Sequence, residues 1–350
     1  MRAVSVVPSE VPPTSIPTAS REIVFVAGGD VSFGREAGQR LLQDPEYAPL
    51  AGIERLWDDA DLRFVNLEST LSDQQGQTQS PLQRLIFTGP PSGARALGRA
   101  GVHWVSTANN HAWDYGPGAF EQTLVNLDAA GVDHAGTGPD LAAAYAPIVR
   151  RVGGWSVALF AVTHVWNFGP IDRHEARARV AWASFKALEP ILRAAREAYD
   201  VVIVSYHGGA EYQDAPSDLT RNFMKSVMST GVDLVVGHHP HVLQGVGFFD
   251  GRPVFYSLGN LLFGRRKEHP WTRYGLLARV SIAEEGERSF AVCPYRIDDW
   301  EPQAELSDAE RSEVLHHLRL ASTATGGLSL GATDARGCVA IAPALRRSRR

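Results

Sequence analysis

Between residues 23 and 241 the chain repeats one pattern: a short run rich in β-branched and aromatic residues, then an amphipathic stretch. The runs are IVFVAGGD (23–30), LRFVNLE (62–68), VHWVSTANNH (102–111), VDHAG (132–136), VVIVSYHGG (201–209) and VDLVVGHHPH (232–241). Helices are expected over Gly118 to Ala130, over Trp182 to Tyr199, and after Pro216, where Ser217 can cap a segment beginning at Asp218. Strands alternating with helices predict a layered α/β fold with a mainly buried sheet. The stretches 145–163 and 245–297 instead carry paired β runs around Gly153-Gly154 and Asp250-Gly251. Those are hairpin signatures and predict an antiparallel portion or a second sheet. Beyond Glu301, Ser307 and Glu310 form a capping box ahead of VLHHLRL, so a helix is expected there. The chain thus divides into a Pro/Ser/Thr-rich leader over 1–20, expected to be disordered, a folded domain over 21–300, and a segment over 301–350. That last segment is expected to hold a helix, a strand and the basic tail RRSRR, packed on or beside the domain.

Composition narrows the function classes. With 34 Lys+Arg against 39 Asp+Glu the chain lacks the basic balance of a nucleic-acid binder. No apolar run approaches the roughly 18 residues that suggest a membrane span. Met1 to Ser20 has no apolar core of the signal-peptide kind, so a soluble, cytoplasmic protein is expected. The 2 cysteines, Cys293 and Cys338, supply neither a disulfide framework nor a thiolate zinc site, and no disulfide is expected. Histidine is the oddity, at 12 residues.

The unusual polar residues fall at the ends of the β runs: Asp30; Asn66 and Glu68; Asn109, Asn110 and His111; His207; His238, His239 and His241. In open α/β sheets the ligand crevice lies outside the carboxyl ends of the strands, so residues remote in sequence can converge there. Three imidazoles in four residues at 238–241 are hard to place without a ligand. Imidazole and carboxylate donors without thiolates suit a hydrolytic centre of Mn, Fe or Zn type, holding one or two divalent ions. Such chemistry needs a carboxylate bridge, neutral imidazoles, a water made nucleophilic by the metals, and a separate acid for the leaving group. His111, followed three residues later by Asp114, supplies an imidazole oriented by a carboxylate.

The motifs GGDVSFG (28–34), FVNLES (64–69), TANNHAWDYG (107–116), SYHGGAEY (205–212), VVGHHPHVLQG (235–245) and YSLGN (256–260) resemble the bacterial capsule-synthesis, or poly-γ-glutamate-synthesis, CapA family. That family is in turn similar to calcineurin-like metallophosphoesterases and 5′-nucleotidases. The resemblance covers about residues 22–300. It implies a four-layer α/β/β/α metallophosphoesterase-like sandwich. It also implies that Asp30 is the aspartate of the first motif, and that Glu68, or Asn66, stands for the bridging aspartate. Asn110 would bind metal while His111 contacts the scissile group, with Asp114 orienting it. His207, His239 and His241 would complete the ligands, leaving His238 as a neighbour or alternative. Two departures accompany the match: Ser32 occupies the position of the first motif's histidine, and the bridging aspartate is replaced.

These readings converge on a metal-dependent hydrolase acting on a phosphate ester or an amide, with His111 and Asp114 as the acid unit. The substrate is expected to be a small molecule, a peptide-like compound or an anionic polymer. One alternative is a non-catalytic accessory protein of polyglutamate or capsule assembly, and another is a tailoring enzyme acting on a peptide-like biosynthetic intermediate.

Overall fold

A computed structural model describes residues 22–344 except Glu285; the expected leader and the RRSRR tail lie outside the described residues. The first half of the chain runs β1 (Ile23–Val31), α1 (Arg35–Gln43), β2 (Leu62–Leu67), β3 (Thr70–Leu71), β4 (Thr88–Gly89), α2 (Ser92–Arg99), β5 (Trp104–Ser106), α3 (Gly116–Ala129), β6 (Asp133–Ala135) and α4 (Leu141–Tyr145). Then come β7 (Ile148–Val152), β8 (Trp155–Thr163), α5 (Phe185–Ala198), β9 (Val201–His207), α6 (Asp218–Met228), β10 (Leu234–His238), β11 (Val246–Phe249), β12 (Arg252–Phe255) and β13 (Asn260–Leu262). The chain closes with β14 (Tyr274–Ile282), β15 (Arg288–Asp298), β16 (Glu301–Gln303), α7 (Asp308–Ala321), β17 (Leu328–Thr333) and β18 (Val339–Pro343).

Among the described residues the fold is α/β with two mixed sheets and a short parallel pair, β3-β4. The larger has the order β17-β18-β15-β14-β1-β2-β5-β6, with β13 added to β1 and β16 to β15; the smaller has the order β11-β12-β10-β9-β8-β7. In the larger sheet β1, β2, β5 and β6 are parallel, while β14, β15, β18 and β17 follow as antiparallel neighbours. In the smaller, β8, β9, β10 and β12 are parallel and are flanked by the two hairpins expected at Gly153-Gly154 and Asp250-Gly251.

Successive residues of a strand point to opposite faces, and the core divides accordingly. Phe25 and Ala27 of β1, Phe64 and Trp104 meet Leu159, Ile203 and Val236 of the other sheet in one cluster between the sheets. Val26, Val65 and Val105 turn the other way and pack with Leu41 of α1, Leu97 of α2 and Leu127 of α3. Phe160, Val202, Val204 and Val235 pack with Leu188 and Leu192 of α5 and with Phe223 and Met224 of α6. The helix after Ser307 carries the expected capping box, and its Val314 and Leu318 enter the inter-sheet cluster. Ser217 caps α6, its hydroxyl accepting from Thr220 N–H.

One expectation is corrected. Cys293 of β15 and Cys338, just before β18, form a disulfide. The two lie 45 residues apart in sequence, and only the adjacency of β15 and β18 brings them together. Among the described residues no helix is long and apolar enough to cross a membrane.

Candidate metal centre

The carboxyl ends of four parallel strands, two from each sheet, meet at one place. In the larger sheet Asp30 of β1 stands opposite Asn66 of β2, and Glu68 follows that strand's last residue. In the smaller, His207 ends β9 opposite His238, which ends β10. β13 runs beside β1 and sets Asn260 opposite Asp30. That approach needs a glycine, because a Cβ on Gly29 would lie 2.0 Å from the Gly259 carbonyl oxygen. Beyond β10 the chain turns sharply, with His239 and His241 in the left-handed region at φ +97° and +58°. Non-glycine residues held there cost about 1–3 kcal/mol each and cluster at functional sites.

Asp30, Glu68 and His207 are fully buried, and His239 and His241 nearly so. Asn66 binds the carboxylates together: its Nδ2 donates to Asp30 Oδ1 at 2.8 Å and lies 3.4 Å from Glu68 Oε2. The same amide nitrogen lies 3.2 Å from His207 Nδ1, and His207 Nε2 is 2.7 Å from Asn110 Oδ1. Asp30 Oδ2 accepts from His239 N–H at 3.2 Å and lies 3.4 Å from His241 Nδ1. Beside this cluster His111 Nδ1 is bonded to Asp114 Oδ2 at 2.8 Å, and Phe87 N–H donates to the same oxygen at 2.9 Å. The carboxylate fixes the proton on Nδ1, and His111 Nε2 stands 4.0 Å from Glu68 Oε1. The Phe87 ring covers the imidazole, with centroids 4.1 Å apart.

Among the described residues three groups of side chains bring ligand atoms within 4.8 Å of one another: Asp30, Glu68 and His241; Glu68, His207 and His239; Glu211, His239 and His241. The first two share only Glu68, whose two oxygens let one carboxylate serve two ions. Glu68 Oε1 and His239 Nδ1 are buried without a hydrogen-bond partner, as expected of atoms reserved for a ligand. The donors are oxygen and nitrogen throughout, a set that fits Mn, Fe or Zn.

The charges are set for binding a cation. Burial pushes the Glu68 carboxyl well above the ordinary carboxylate range, with the charges of Asp30 and Glu211 adding to it. Burial also opposes ionisation of Asp30, but contacts with His238 and His241 prevail and hold it well below that range. His207 is held well below the usual imidazole value by burial and then by His239, and His239 is pushed down to about 4 by burial and then by His241. At neutral pH these two imidazoles are therefore free bases, while the buried Glu68 carboxyl resists ionisation until a cation stands beside it. An incoming divalent ion displaces whatever protons its ligands hold, so affinity falls as pH is lowered. Titration calorimetry of the metal-free protein at a series of pH values, in buffers of different ionisation enthalpy, should show net proton release on binding Mn or Zn. Proton uptake would contradict the assignment of Glu68 as a ligand. Asp114 is pushed up by burial and drawn back by His111 and the Phe87 N–H.

Every site residue expected from the sequence lies in this region. Asp30, Glu68, His207, His239 and His241 fall in the ion-sized groups, and Asn110 touches His207. Asn66 is a hydrogen-bond donor between the carboxylates. His238 lies against Asp30 and the edge of the Phe64 ring, outside the groups. Two participants escape the sequence reading. Asn260 Oδ1 is 2.9 Å from His241 Nδ1, and Glu211 faces His239 and His241. The YSLGN and SYHGGAEY motifs contain both residues, but no β run ends at either. The 164–180 loop packs on Trp113 and Phe120 through Ile171 and Ala176, and its Asn167 accepts from Asn110 Nδ2 at 3.2 Å.

Carboxylates and imidazoles gathered at the strand ends of a mixed α/β fold define a protein with a centre able to coordinate divalent metal. The chain belongs to the bacterial capsule synthesis protein PGA_cap family, whose model matches residues 24–265. It is 27% identical over 290 residues to the PGA biosynthesis protein CapA of Bacillus subtilis (strain 168), covering 82% of this chain and 75% of that one. It is 29% identical over 229 residues to the capsule biosynthesis protein CapA of Bacillus anthracis, covering 64% of this chain but 55% of that one. The NAD nucleotidase of Haemophilus influenzae aligns with 86% of this chain and 63% of its own at 13% identity and a TM-score of 0.45, a likeness too remote to assign chemistry.

Proposed function

We propose that the chain is a metal-dependent hydrolase of the metallophosphoesterase type, its sheets and outer helices forming a four-layer α/β/β/α arrangement. It acts on a phosphate ester or an amide in capsule or poly-γ-glutamate-related biosynthesis, a setting supported by the names of its Bacillus relatives. One observation carries the reading: the buried His111–Asp114 pair, bonded at 2.8 Å, stands beside the Glu68 carboxylate. A centre that only stores an ion needs ligands, not a proton donor oriented by its own carboxylate.

One or two ions of Mn, Fe or Zn type would be held by Asp30, Glu68, Asn110, His207, His239 and His241. When bound they supply Lewis acidity toward a phosphoryl or carbonyl oxygen and lower the pKa of water. Asn66 holds Asp30 and Glu68 in position through its Nδ2. Asp114 keeps the His111 proton on Nδ1, turns Nε2 toward the centre, and stabilises the imidazolium. His111 in that cationic form gives its Nε2 proton to the leaving oxygen or nitrogen. Phe87, lying tilted against the ring, keeps bulk water from the proton donor.

The test is elemental analysis of the purified protein together with a panel of phosphomonoesters, phosphodiesters and γ-glutamyl peptides in added Mn. Bound Mn, Fe or Zn with turnover that chelation abolishes is the expected result. A protein that takes up none of these ions overturns it. Metal without turnover moves the weight to a non-catalytic accessory role in polymer assembly. That second reading is favoured by Ser32, whose hydroxyl accepts from Gly34 N–H where the superfamily motif would carry a histidine.

A further inference from the structure

The loop after His207 folds back over the centre. Gly209 takes φ +111° and Tyr212 φ +60°, and Tyr212 N–H donates to the Pro240 carbonyl at 2.8 Å. This bond ties residues 208–212 to the turn that carries His239 and His241, itself held in the left-handed region at both histidines. Backbone in that region persists only where its surroundings enforce it, and here two such turns lock against each other. The result is that the exposed Glu211 brings a carboxylate oxygen within 4.8 Å of ligand nitrogens on His239 and His241. His239 is 5% exposed, and its Nδ1 has no hydrogen-bond partner. Buried Glu68 also brings a carboxylate oxygen within that distance of a ligand nitrogen on each of these histidines. The His239–His241 pair therefore has both a buried and an exposed carboxylate within reach.

Ser32 leaves the centre one ligand short of the superfamily pattern, and its hydroxyl is engaged with Gly34. We propose that Glu211 makes good that loss: with His239 and His241 it holds a second divalent cation at the solvent side of the centre, leaving the interior one to the carboxylates of Asp30 and Glu68. Three oxygen or nitrogen donors with open positions for water and substrate are what a hydrolytic ion requires. The inference rests on the metal-centre reading above, and the experiment separates the two.

Full-length protein and the Glu211→Gln variant are loaded with MnCl2, freed of loose ion by gel filtration, and compared by elemental analysis and electron paramagnetic resonance. Wild type should hold about two Mn ions per chain with an exchange-coupled spectrum. Glu211→Gln should hold about one, with the spectrum of an isolated ion, and Glu211→Asp should recover part of the second. Because Glu211 is exposed, the unfolding curves of the metal-free proteins should coincide, which excludes misfolding as the cause. Two ions retained in Glu211→Gln overturns the inference and leaves the metal-centre reading standing, as does a wild type that binds only one. A wild type that binds none overturns the reading itself.

Discussion

Asp114→Asn is expected to lower kcat by roughly 10²–10⁴-fold, the range associated with losing a positioned general acid. The carboxylate accepts two N–H groups at once, from His111 Nδ1 and from Phe87. Both meet the same oxygen, so an asparagine whose amide nitrogen takes that place faces two donors and releases the imidazole from its tautomer and orientation, and in either orientation the negative charge that stabilises the imidazolium is lost. Neither Asp114 nor His111 belongs to the ion-sized groups of ligands, so metal content should stay at the wild-type level while turnover collapses. His111→Ala should match Asp114→Asn in direction, and the double variant should fall little further, since the two act as one unit. Steady-state kinetics on whichever ester or amide the substrate panel yields, paired with elemental analysis, checks this. A kcat within threefold of wild type in either variant would remove the proton-donor role.

Removing the disulfide should produce the largest change in stability. It closes a loop spanning 45 residues, for which the chain-entropy relation gives about 4 kcal/mol at 25 °C. Measured effects run from about 2 to 5 kcal/mol when a native bridge is removed. Both cysteines are buried, so Cys293→Ala with Cys338→Ala avoids introducing an unpaired hydroxyl. Urea unfolding without reductant should show the double variant less stable by about 2–4 kcal/mol. Dithiothreitol should bring wild type to the same midpoint. Identical midpoints with and without reductant, or free thiols by mass spectrometry, would show that the bond contributes nothing. Disulfides persist in oxidising compartments, so the bonded pair also weighs against the cytoplasmic placement that the sequence alone suggests.

The layout of the fold was legible wherever a local signal exists. Gly153-Gly154 and Asp250-Gly251 mark hairpins that form, and Ser307 with Glu310 marks a cap that forms. Helix α1 escaped because Gly34 gives it no side-chain cap and its segment REAGQRLLQ carries few apolar residues. The site was readable because each strand end carries its own polar residue, and the topology needs only to bring parallel strand ends together. Glu211, Asn260 and the cysteine pair were not readable for a different reason. Their positions depend on a left-handed turn at Gly209 and Tyr212, on a short strand inserted beside β1, and on β18 joining β15. These are long-range placements that no local pattern announces.

The centre takes Asp30 and Glu68 from one sheet and His207, His239 and His241 from the other. An ion held there is a further tie across the seam between two layers that meet through apolar contact and through bonds such as His239 N–H to Asp30. Folding and metal supply then become linked equilibria: free ion at one hundred times its dissociation constant adds about 2.7 kcal/mol to the folded state. Starving a cell of that metal would lower the amount of folded chain as well as its activity, so the protein's lifetime against proteolysis would report on the ion it uses.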